Sequence, residues 1–317
     1  MKKSKVAVVQ SQPYLFDTGR TIKKMWDVAG KIKAESPGLV LFPEAFLPGY
    51  PRGLSFGAVV GNRTEEGRKL FARYYEQSIA EHDDNFKELQ EIAKSLKAYL
   101  AVGVVEKETI SGTLFCTIFY FGPDGRLLGK HRKLKPTGSE RLIWGEGDGS
   151  TMPVFDSGFG VFGGLICWEN YMPLARMAMY QQGVQIYLAP TADFRDSWQT
   201  TLQHIATEGR CFVLGCNQLI TRDAYPEYIL PMIQDPSTIP CSGGSVIIGP
   251  GGKVLAGPVF NEERILYAEL DLEDVTRGKY EFDVAGHYNR PDVFSFRVNK
   301  GSGAASGSGA ASGSGDL

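Results

Sequence analysis

The chain has 317 residues, of which 43% are hydrophobic and 22% are charged, a balance typical of a folded globular protein. Its formal net charge of -2, without a long run of Lys or Arg, argues against a nucleic-acid surface. No apolar stretch is long enough to cross a membrane, and the N-terminal run lacks the apolar core of a signal peptide. The five cysteines include no C-x-x-C pair, which favours reduced thiols and a cytoplasmic location.

Residues 301–317 contain only small and polar residues before Leu317. We interpret this segment as an added, flexible Gly/Ser linker and exclude it from the fold. Residues 1–300 show no clear internal linker, and their number suits one large domain. We therefore expect a single domain over 1–300.

Short β-rich runs alternate with helical patterns along this domain. Continuous apolar runs predict buried strands, and apolar residues three or four apart predict helices. In the first half, the predicted elements are a strand at 5–10, a helix at 21–32, a strand at 38–44, a helix at 86–96 and a strand at 99–106. In the second half, they are a strand at 160–167, a helix at 173–183, a strand at 184–190, a helix at 198–209, and strands at 211–218 and 265–272.

Two hairpins are predicted, at 113–134 and 244–259, and both turn on a Gly-Pro-x-Gly sequence. This internal similarity suggests that the two halves of the chain contain two related sheets, although Gly-Pro turns also recur in unrelated hairpins. Hairpins mixed with strand–helix alternation imply mixed sheets with helices on their outer faces. The predicted fold class is therefore α/β.

Cys167 is the first candidate for chemistry. A free cysteine on an apolar strand is usually a small buried hydrophobe. Cys167, however, stands where an apolar run ends, close to the helix that Pro173 opens, and strand ends in α/β folds face ligand crevices. The residues that follow it, Trp168, Glu169 and Asn170, are not core-like. Free backbone N–H groups at such a turn can stabilise a thiolate and then a substrate anion.

Glu44 and Lys133 are the next candidates. Glu44 directly follows an apolar strand, where it is either an exposed loop residue or a desolvated proton acceptor with a raised pKa. Strand alternation places Lys133 on the same side as His131 and Lys135. That side is either the solvated face of an edge strand or an inward face, where a lysine could serve as a fixed cation for an oxyanion. Glu140 could hold such a lysine through an ion pair.

No metal or cofactor site is expected from the sequence. The four histidines form no H-x-x-x-H pattern and no Cys/His cluster. The sequence also lacks a complete Walker pattern and a G-x-S-x-G elbow. A Cys-His pair that uses His131 or His204 stays open, although no known sequence context favours it.

Three separated motifs together resemble the nitrilase superfamily, and its nitrilase branch in particular. They are PEAFLPGYPRG at 43–53, GKHRKLKPT at 129–137 and LICWENYMPLAR at 165–176. The segments IYLAPTAD at 186–193 and HIATEGRCFVLGCNQ at 204–218 are also similar to that branch. The resemblance extends over nearly the whole predicted domain.

The resemblance implies a four-layer α-β-β-α sandwich and a Cys-Glu-Lys triad that needs no metal or organic cofactor. The triad maps onto Glu44, Lys133 and Cys167, and a second family glutamate maps onto Glu140. The implied reaction is hydrolysis of an organic nitrile to the carboxylic acid and ammonia through a thioimidate and a thioester on Cys167. Superfamily members form dimers, and nitrilases often build spiral filaments from them, so we expect a homodimer or a larger homo-oligomer.

The substrate pocket is expected beside the loop 48–57, which follows Glu44. Tyr50, Trp168 and Thr191 are candidates to line it, the alternative for each being ordinary loop packing. The aromatic content favours an apolar organic nitrile over cyanide.

Other functions stay open at this stage. They are an amidase or carbamoylase that uses the same triad, a cyanide-degrading enzyme, and a catalytically silent assembly protein. The CWENYMPL sequence favours a nitrilase over an amidase, and the intact Glu44, Lys133 and Cys167 argue against a silent protein.

Overall fold

A computed structural model describes residues 3–233 and 237–300, so the predicted linker at 301–317 lies outside the described residues. The strands are β1 (Lys3–Gln10), β2 (Leu39–Leu41), β3 (Ala58–Val59), β4 (Asn62–Arg63), β5 (Tyr99–Lys107), β6 (Leu114–Phe121), β7 (Leu127–Arg132), β8 (Phe155–Asp156), β9 (Val161–Gly164), β10 (Ile186–Thr191), β11 (Phe212–Asn217), β12 (Leu219–Ile220), β13 (Cys241–Ile248), β14 (Val254–Phe260) and β15 (Arg264–Asp271). The helices are α1 (Thr18–Lys33), α2 (Glu65–Gln77), α3 (Asp84–Leu96), α4 (Pro173–Gln181), α5 (Asp196–Gly209) and α6 (Glu273–Glu281).

Helices α1, α3, α4 and α5 form where the apolar spacing predicts them, whereas α2 and α6 were not predicted. Local signals set the helix ends. The buried face of α1 includes Ile22, Met25 and Ile32, and the Asp17 carboxylate accepts the N–H of Arg20 at its start. Helix α4 begins at Pro173, which needs no hydrogen-bond acceptor at that position. These features confirm the predicted helices and shift their bounds by a few residues.

The strands form two large mixed sheets. The first has the order β15-β1-β2-β5-β6-β7, and the second has the order β12-β13-β11-β10-β9-β8, with β14 paired to β13. Strands β1, β2 and β5 are parallel in the first sheet, and β9, β10 and β11 are parallel in the second. Both sheets therefore have an edge at which the carboxyl ends of parallel strands meet.

Three apolar clusters define the layers. One joins α1 and α3 to an outer face of the first sheet, and another joins α4 and α5 to an outer face of the second. The third cluster takes residues from both sheets and fills the space between them. This arrangement confirms the predicted four-layer α-β-β-α sandwich.

Both predicted hairpins are present, one in each sheet. Strand β6 pairs antiparallel with β7, and β13 pairs antiparallel with β14. The two turns close alike: Gly122 N–H donates to Arg126 O at 2.9 Å, and Gly249 N–H donates to Lys253 O at 2.8 Å. The similarity between the two Gly-Pro-x-Gly sequences thus corresponds to the same type of turn in each of the two sheets.

Two predicted strands end earlier than expected. Strand β2 ends at Leu41 and β9 ends at Gly164, so Glu44 and Cys167 both lie in the connections that follow. Within the described ranges, no helix combines the length and apolarity that a membrane crossing requires.

Candidate active site

The site forms where strands from both sheets end. Glu44 stands three residues after β2, Cys167 stands three residues after β9, and Thr191 is the last residue of β10. Cys167 belongs to the apolar cluster between the sheets, as does Ala45 next to Glu44. The carboxyl ends of parallel strands in α/β folds characteristically open onto ligand crevices, and here two sheets contribute to one such place.

Glu44 is fully buried, and its two carboxylate oxygens differ in their surroundings. Oε1 accepts hydrogen bonds from Lys133 Nζ at 2.7 Å and from Cys116 Sγ at 3.5 Å. Oε2 is buried and has no hydrogen-bond partner among the described residues. A buried acceptor without a partner is costly, so Oε2 is an oxygen held ready for a proton or a water molecule.

A glycine allows the backbone of Glu44 to approach its neighbouring strand. The N–H of Phe46 donates to the carbonyl of Gly103 in β5 at 2.8 Å. A Cβ atom at Gly103 would lie 2.1 Å from the carbonyl oxygen of Pro43 and 2.7 Å from the Glu44 Cα. Only glycine therefore fits at this position while the Glu44 segment keeps its place.

Lys133 is also fully buried, and its ammonium joins two carboxylates. Nζ donates to Glu44 Oε1 at 2.7 Å and to Glu140 Oε2 at 2.8 Å. The backbone of Lys133 is bonded on both sides, through its N–H to Cys116 O and through its carbonyl to the N–H of Gly147, both at 2.8 Å. The segment that contains Gly147 therefore packs against this end of β7.

The structure corrects two interpretations of this segment. The solvated edge strand is wrong for Lys133, because residues 144–147 cover the strand end. Lys135, predicted to share a face with Lys133, is instead exposed and forms an ion pair with Glu146. Strand β7 ends at Arg132, so the alternation of sides does not continue to Lys135.

The charges at this site change the pKa of Glu44 and the pKa of Lys133. Burial raises the pKa of the Glu44 carboxyl above its ordinary value, Lys133 lowers it, and the like charge of Glu140 raises it again. Burial alone would lower the pKa of Lys133, but Glu44, Cys167 and Glu140 hold it well above its usual range. Lys133 is therefore held as a cation, whereas the raised pKa of Glu44 makes its carboxylate a better proton acceptor than a solvated glutamate.

Cys167 begins a short 3-10 helix, Cys167–Tyr171, with a left-handed backbone (φ 50°). This conformation is costly for a residue other than glycine and persists only where the surroundings enforce it. The Thr191 hydroxyl donates to Cys167 Sγ at 3.1 Å. Burial and then the charge of Glu44 raise the pKa of the Cys167 thiol, while Lys133 and Thr191 lower it. The net shift is upward, so the resting group is a protonated thiol.

The two polar residues after Trp168 do not face solvent, contrary to the expectation that they are unlike core residues. Glu169 and Asn170 are both buried. Asn170 Nδ2 donates to the carbonyls of Leu165 and Cys167 at 3.0 and 2.8 Å, and its Oδ1 accepts the Tyr187 hydroxyl at 2.7 Å. These bonds explain how a polar side chain is buried here and how the turn keeps its shape.

Neither histidine considered for a Cys-His pair is bonded to Cys167. His131 Nε2 lies 2.9 Å from Glu169 Oε2, and its Nδ1 lies 2.6 Å from the carbonyl of Thr151. His204 is exposed on α5 and lies 3.5 Å from Glu208. The sulfur instead accepts a hydrogen bond from Thr191, and the charges of Glu44 and Lys133 act on the pKa of its thiol.

A cavity of about 260 Å³ opens beside the sulfur. It is lined by Tyr50, Arg52, Thr137, Glu140, Cys167, Trp168, Ala192, Asp193, Phe194 and Arg195. Tyr50 and Trp168, two of the three expected pocket residues, are among them. Thr191, the third, does not line the cavity; it is fully buried and contacts the sulfur instead.

The walls of this cavity are fixed by polar contacts. Tyr50 OH donates to Glu140 Oε1 at 2.6 Å, which ties one wall to the carboxylate that holds Lys133. Among the other lining residues, Trp168 Nε1 donates to Asp193 Oδ2 at 2.8 Å. Arg195 bonds both oxygens of Asp193, and its guanidinium carbon lies 4.8 Å from the Trp168 ring centroid. The indole is therefore held on two sides.

The model of the carbon-nitrogen hydrolase family matches residues 5–280. This chain belongs to the carbon-nitrogen hydrolase family. It is 50% identical over 296 residues to a nitrilase of Bradyrhizobium diazoefficiens, covering 93% of this chain and 92% of that protein. It is also 47% identical over 300 residues to a bifunctional nitrilase/nitrile hydratase of Lupinus angustifolius, covering 93% of this chain and 85% of that protein. These similarities confirm the predicted superfamily and its nitrilase branch.

A solved carbon-nitrogen hydrolase from Helicobacter pylori shares the fold. The two structures align with a TM-score of 0.74 at 21% sequence identity, over 92% of this chain and 97% of that chain. At this identity the comparison bears on the fold alone, which it supports.

Sequence reasoning missed several residues of this carbon-nitrogen hydrolase that lie at the site. Asp193, Arg195 and Phe194 line the cavity, and Cys116 contacts Glu44. Asp193 follows the end of β10, so the strand-end argument used for Glu44 could have found it. Cys116 carried no such signal, because it lies inside an apolar strand and its role depends on what packs across from it.

Proposed function

We propose that this carbon-nitrogen hydrolase is a nitrilase that converts an organic nitrile and two water molecules into a carboxylic acid and ammonia. One observation carries the proposal: Glu44, Lys133 and Cys167, far apart in sequence, meet in one buried site that opens onto a cavity. The identity of about half to proteins named as nitrilases supports the choice of nitrile over other substrates.

In the first stage, the thiol of Cys167 loses its proton to Glu44 as the sulfur attacks the nitrile carbon. One π bond of the nitrile breaks and a C–S bond forms, and the proton passes on to the nitrile nitrogen to give a thioimidate. Oε2 of Glu44 is the oxygen available for this proton, since Oε1 is already bonded to Lys133. Lys133 and the backbone N–H of Trp168, at the open start of the short helix, stabilise the charge that develops on nitrogen.

In the second stage, Glu44 activates a water molecule that adds to the thioimidate carbon. The tetrahedral intermediate carries oxygen, nitrogen and sulfur on that carbon. Cleavage of its C–N bond, with proton transfer to nitrogen, releases ammonia and leaves a thioester. A second water molecule then adds, and cleavage of the C–S bond releases the carboxylic acid and restores the thiol.

Cleavage of the other bond of the same intermediate gives a different product. If C–S breaks before C–N, the nitrile leaves as its amide after one hydration. The relative from Lupinus angustifolius carries both activities in its name. We therefore propose release of an amide as a second activity of this site, to be measured beside the acid.

The variants Cys167→Ala and Cys211→Ala test the proposal together. Both cysteines are buried, but Cys211 lies in the cluster between sheet and helices on the outer side. We expect Cys167→Ala to release neither acid, amide nor ammonia from a panel of aliphatic, aromatic and arylacetic nitriles, whereas Cys211→Ala keeps its rate. A Cys167→Ala enzyme that turns over nitriles at the wild-type rate would contradict the proposal.

Competing substrates decide between the remaining members of the superfamily. Paired nitriles and amides with the same carbon skeleton distinguish a nitrilase from an amidase or carbamoylase. Formamide or ammonia released from cyanide would reveal a cyanide-degrading enzyme. Failure of a reactive nitrile or iodoacetamide to label Cys167, read by mass spectrometry, would favour a catalytically silent assembly protein.

We also propose that residues 1–300 act as one domain, that the chain is a homodimer or a larger homo-oligomer, up to spiral filaments, and that it resides in the cytoplasm. The five cysteines are all free and buried, which suits a reducing compartment. Light scattering and electron microscopy measure the assembly, and cell fractionation measures the location. A monomer at micromolar concentration would contradict the expected oligomer.

A further inference from the structure

One buried carboxylate bridges the segments that carry the nucleophile and the cation. Glu169 Oε2 accepts the backbone N–H of Ile166, the residue before Cys167, at 2.7 Å. Glu169 Oε1 accepts the backbone N–H of Leu134, the residue after Lys133, also at 2.7 Å. The side chain of Glu169 therefore joins the two peptide segments directly, although it touches neither the sulfur nor the ammonium.

His131, in strand β7, also contacts the Glu169 carboxylate. Its Nε2 lies 2.9 Å from Glu169 Oε2, and its Nδ1 lies 2.6 Å from the carbonyl oxygen of Thr151. Both ring nitrogens face oxygen atoms that can only accept, since Glu169 is already the acceptor for two backbone N–H groups. Both nitrogens must then donate, so the ring is an imidazolium and balances the buried carboxylate.

We propose that Glu169 and His131 are a pair of positioning residues that fix Cys167 relative to Lys133. The inference rests on the catalytic roles proposed above for Cys167 and Lys133. It assigns to the pair no contact with substrate, because neither residue lines the cavity. Its effect is exerted on the two neighbouring peptide groups.

The backbone at Cys167 explains why such a bridge is needed. The left-handed conformation at this residue is held only if the peptides on both sides are fixed. Asn170 fixes the carbonyls of Leu165 and Cys167, and Glu169 fixes the N–H of Ile166. A displacement of about 1 Å between reacting groups can cost about 100-fold in rate, so a small relaxation of this turn has a large effect on catalysis.

The variant Glu169→Gln tests the bridge. A Gln side chain offers one acceptor oxygen in place of two, so either the Ile166 or the Leu134 N–H loses its partner. We expect kcat to fall about 10- to 100-fold, the usual effect of removing a group that orients a reacting residue. Because Glu169 does not touch the cavity, KM should stay within about twofold of the wild-type value.

Glu106→Gln is the matched control. Glu106 is as buried as Glu169, and it bonds Lys130 and Arg132 of the same strand β7, but it makes no bond to the Cys167 turn. A general loss of stability in β7 would affect both variants alike. We expect Glu106→Gln to lower the unfolding temperature and leave kcat within about twofold of wild type.

His131→Gln gives an independent measurement. The new amide N–H can still donate to Glu169 Oε2, so this variant should keep more activity than His131→Leu, which removes the donor. The double variant His131→Leu/Glu169→Gln should lose less than the product of the two single losses, because the residues act as one unit. If Glu169→Gln fails to fold, the comparison of His131→Gln with His131→Leu carries the test.

Three outcomes would overturn the inference: equal losses of kcat in Glu169→Gln and Glu106→Gln, a loss confined to KM, or equal rates for the two His131 variants. Cys167→Ala separates this failure from that of the proposed function. If Cys167→Ala is inactive while Glu169→Gln keeps its kcat, the positioning role alone is wrong.

Discussion

Nζ of Lys133 lies 2.7 Å from Oε1 of Glu44, and both side chains are fully buried. The contact serves two purposes at once. It leaves Oε2 of Glu44 as the free acceptor of the carboxylate, and it fixes a cation on the other oxygen, Oε1. The same ion pair therefore positions both the proton acceptor, Glu44, and the cation that stabilises developing negative charge, Lys133.

Replacing Lys133 with Met tests this double role. The change leaves two buried carboxylates, Glu44 and Glu140, without their cation, which typically costs about 3 to 5 kcal/mol of unfolding free energy. We also expect kcat to fall by at least about 100-fold. Urea unfolding and nitrile turnover measure the two effects. Lys135→Met is the control, since its partly exposed ion pair should contribute at most about 1 kcal/mol.

The Thr191 hydroxyl should make the sulfur more reactive. It donates to Cys167 Sγ at 3.1 Å and is one of the groups that lower the pKa of that thiol. Thr191→Val keeps the shape but removes the donor, and a hydrogen bond to a charged group is worth about 1.5 to 3 kcal/mol. We expect iodoacetamide to alkylate Cys167 roughly 10- to 100-fold more slowly. Thr191→Ser keeps the hydroxyl and should react at nearly the wild-type rate; slow alkylation of both variants would point to a packing effect.

The acidic limb of the pH–rate profile should report Glu44. A general base must be ionised, so activity is lost as pH falls through its pKa, and burial raises that pKa above the ordinary value. The limb in kcat/KM should therefore lie at higher pH than a solvated glutamate would give. Glu140 raises the pKa of Glu44 through its like charge, so Glu140→Gln should move the limb to lower pH. An unchanged limb would mean that another group is being titrated.

The Trp168 ring should restrict the size of the substrate. Its side chain is one wall of a cavity of about 260 Å³ and is held by Asp193 and Arg195. Trp168→Ala should raise the ratio of kcat/KM for arylalkyl nitriles over short aliphatic nitriles by about tenfold or more, because it opens that wall. Trp168→Phe keeps a ring but loses the bond to Asp193, and it should stay close to the wild-type ratio. Equal ratios in all three proteins would exclude Trp168 as a size filter.

The alternation of apolar runs and helical spacing was enough to predict mixed sheets with helices on their outer faces, and the family resemblance supplied the four-layer arrangement. Strand ends then identified Glu44 and Cys167 as candidates, because polar residues that follow buried strands face the edge of a sheet. The bounds of those strands were overestimated, since the apolar residues Leu165 and Ile166 continue the hydrophobic run past Gly164, the last residue of β9. An apolar run predicts which residues are buried, and the buried residues here continue beyond the end of the strand.

The sequence pattern could not predict contacts between segments that are distant along the chain. Lys133 could have been a solvated edge residue, and its full burial against the carboxylates of Glu44 and Glu140 decides against that. Glu169 was not expected to resemble a core residue, yet it is buried and bonded to the N–H groups of Leu134 and Ile166 and to the His131 ring. In both cases the partners lie elsewhere in the chain, and no local pattern encodes them. The resemblance to a known family supplied the triad that spacing could not.

Burial of the cysteines affects how the protein responds to oxidants. All five are buried, and Cys167 alone of the five lines the cavity beside Trp168, whereas burial raises the pKa of the other four thiols above the ordinary value. Peroxide and electrophilic metabolites attack thiolates far faster than thiols. Burial therefore protects the four cysteines away from the cavity, and oxidative inactivation is expected to act at Cys167, the cysteine that faces it.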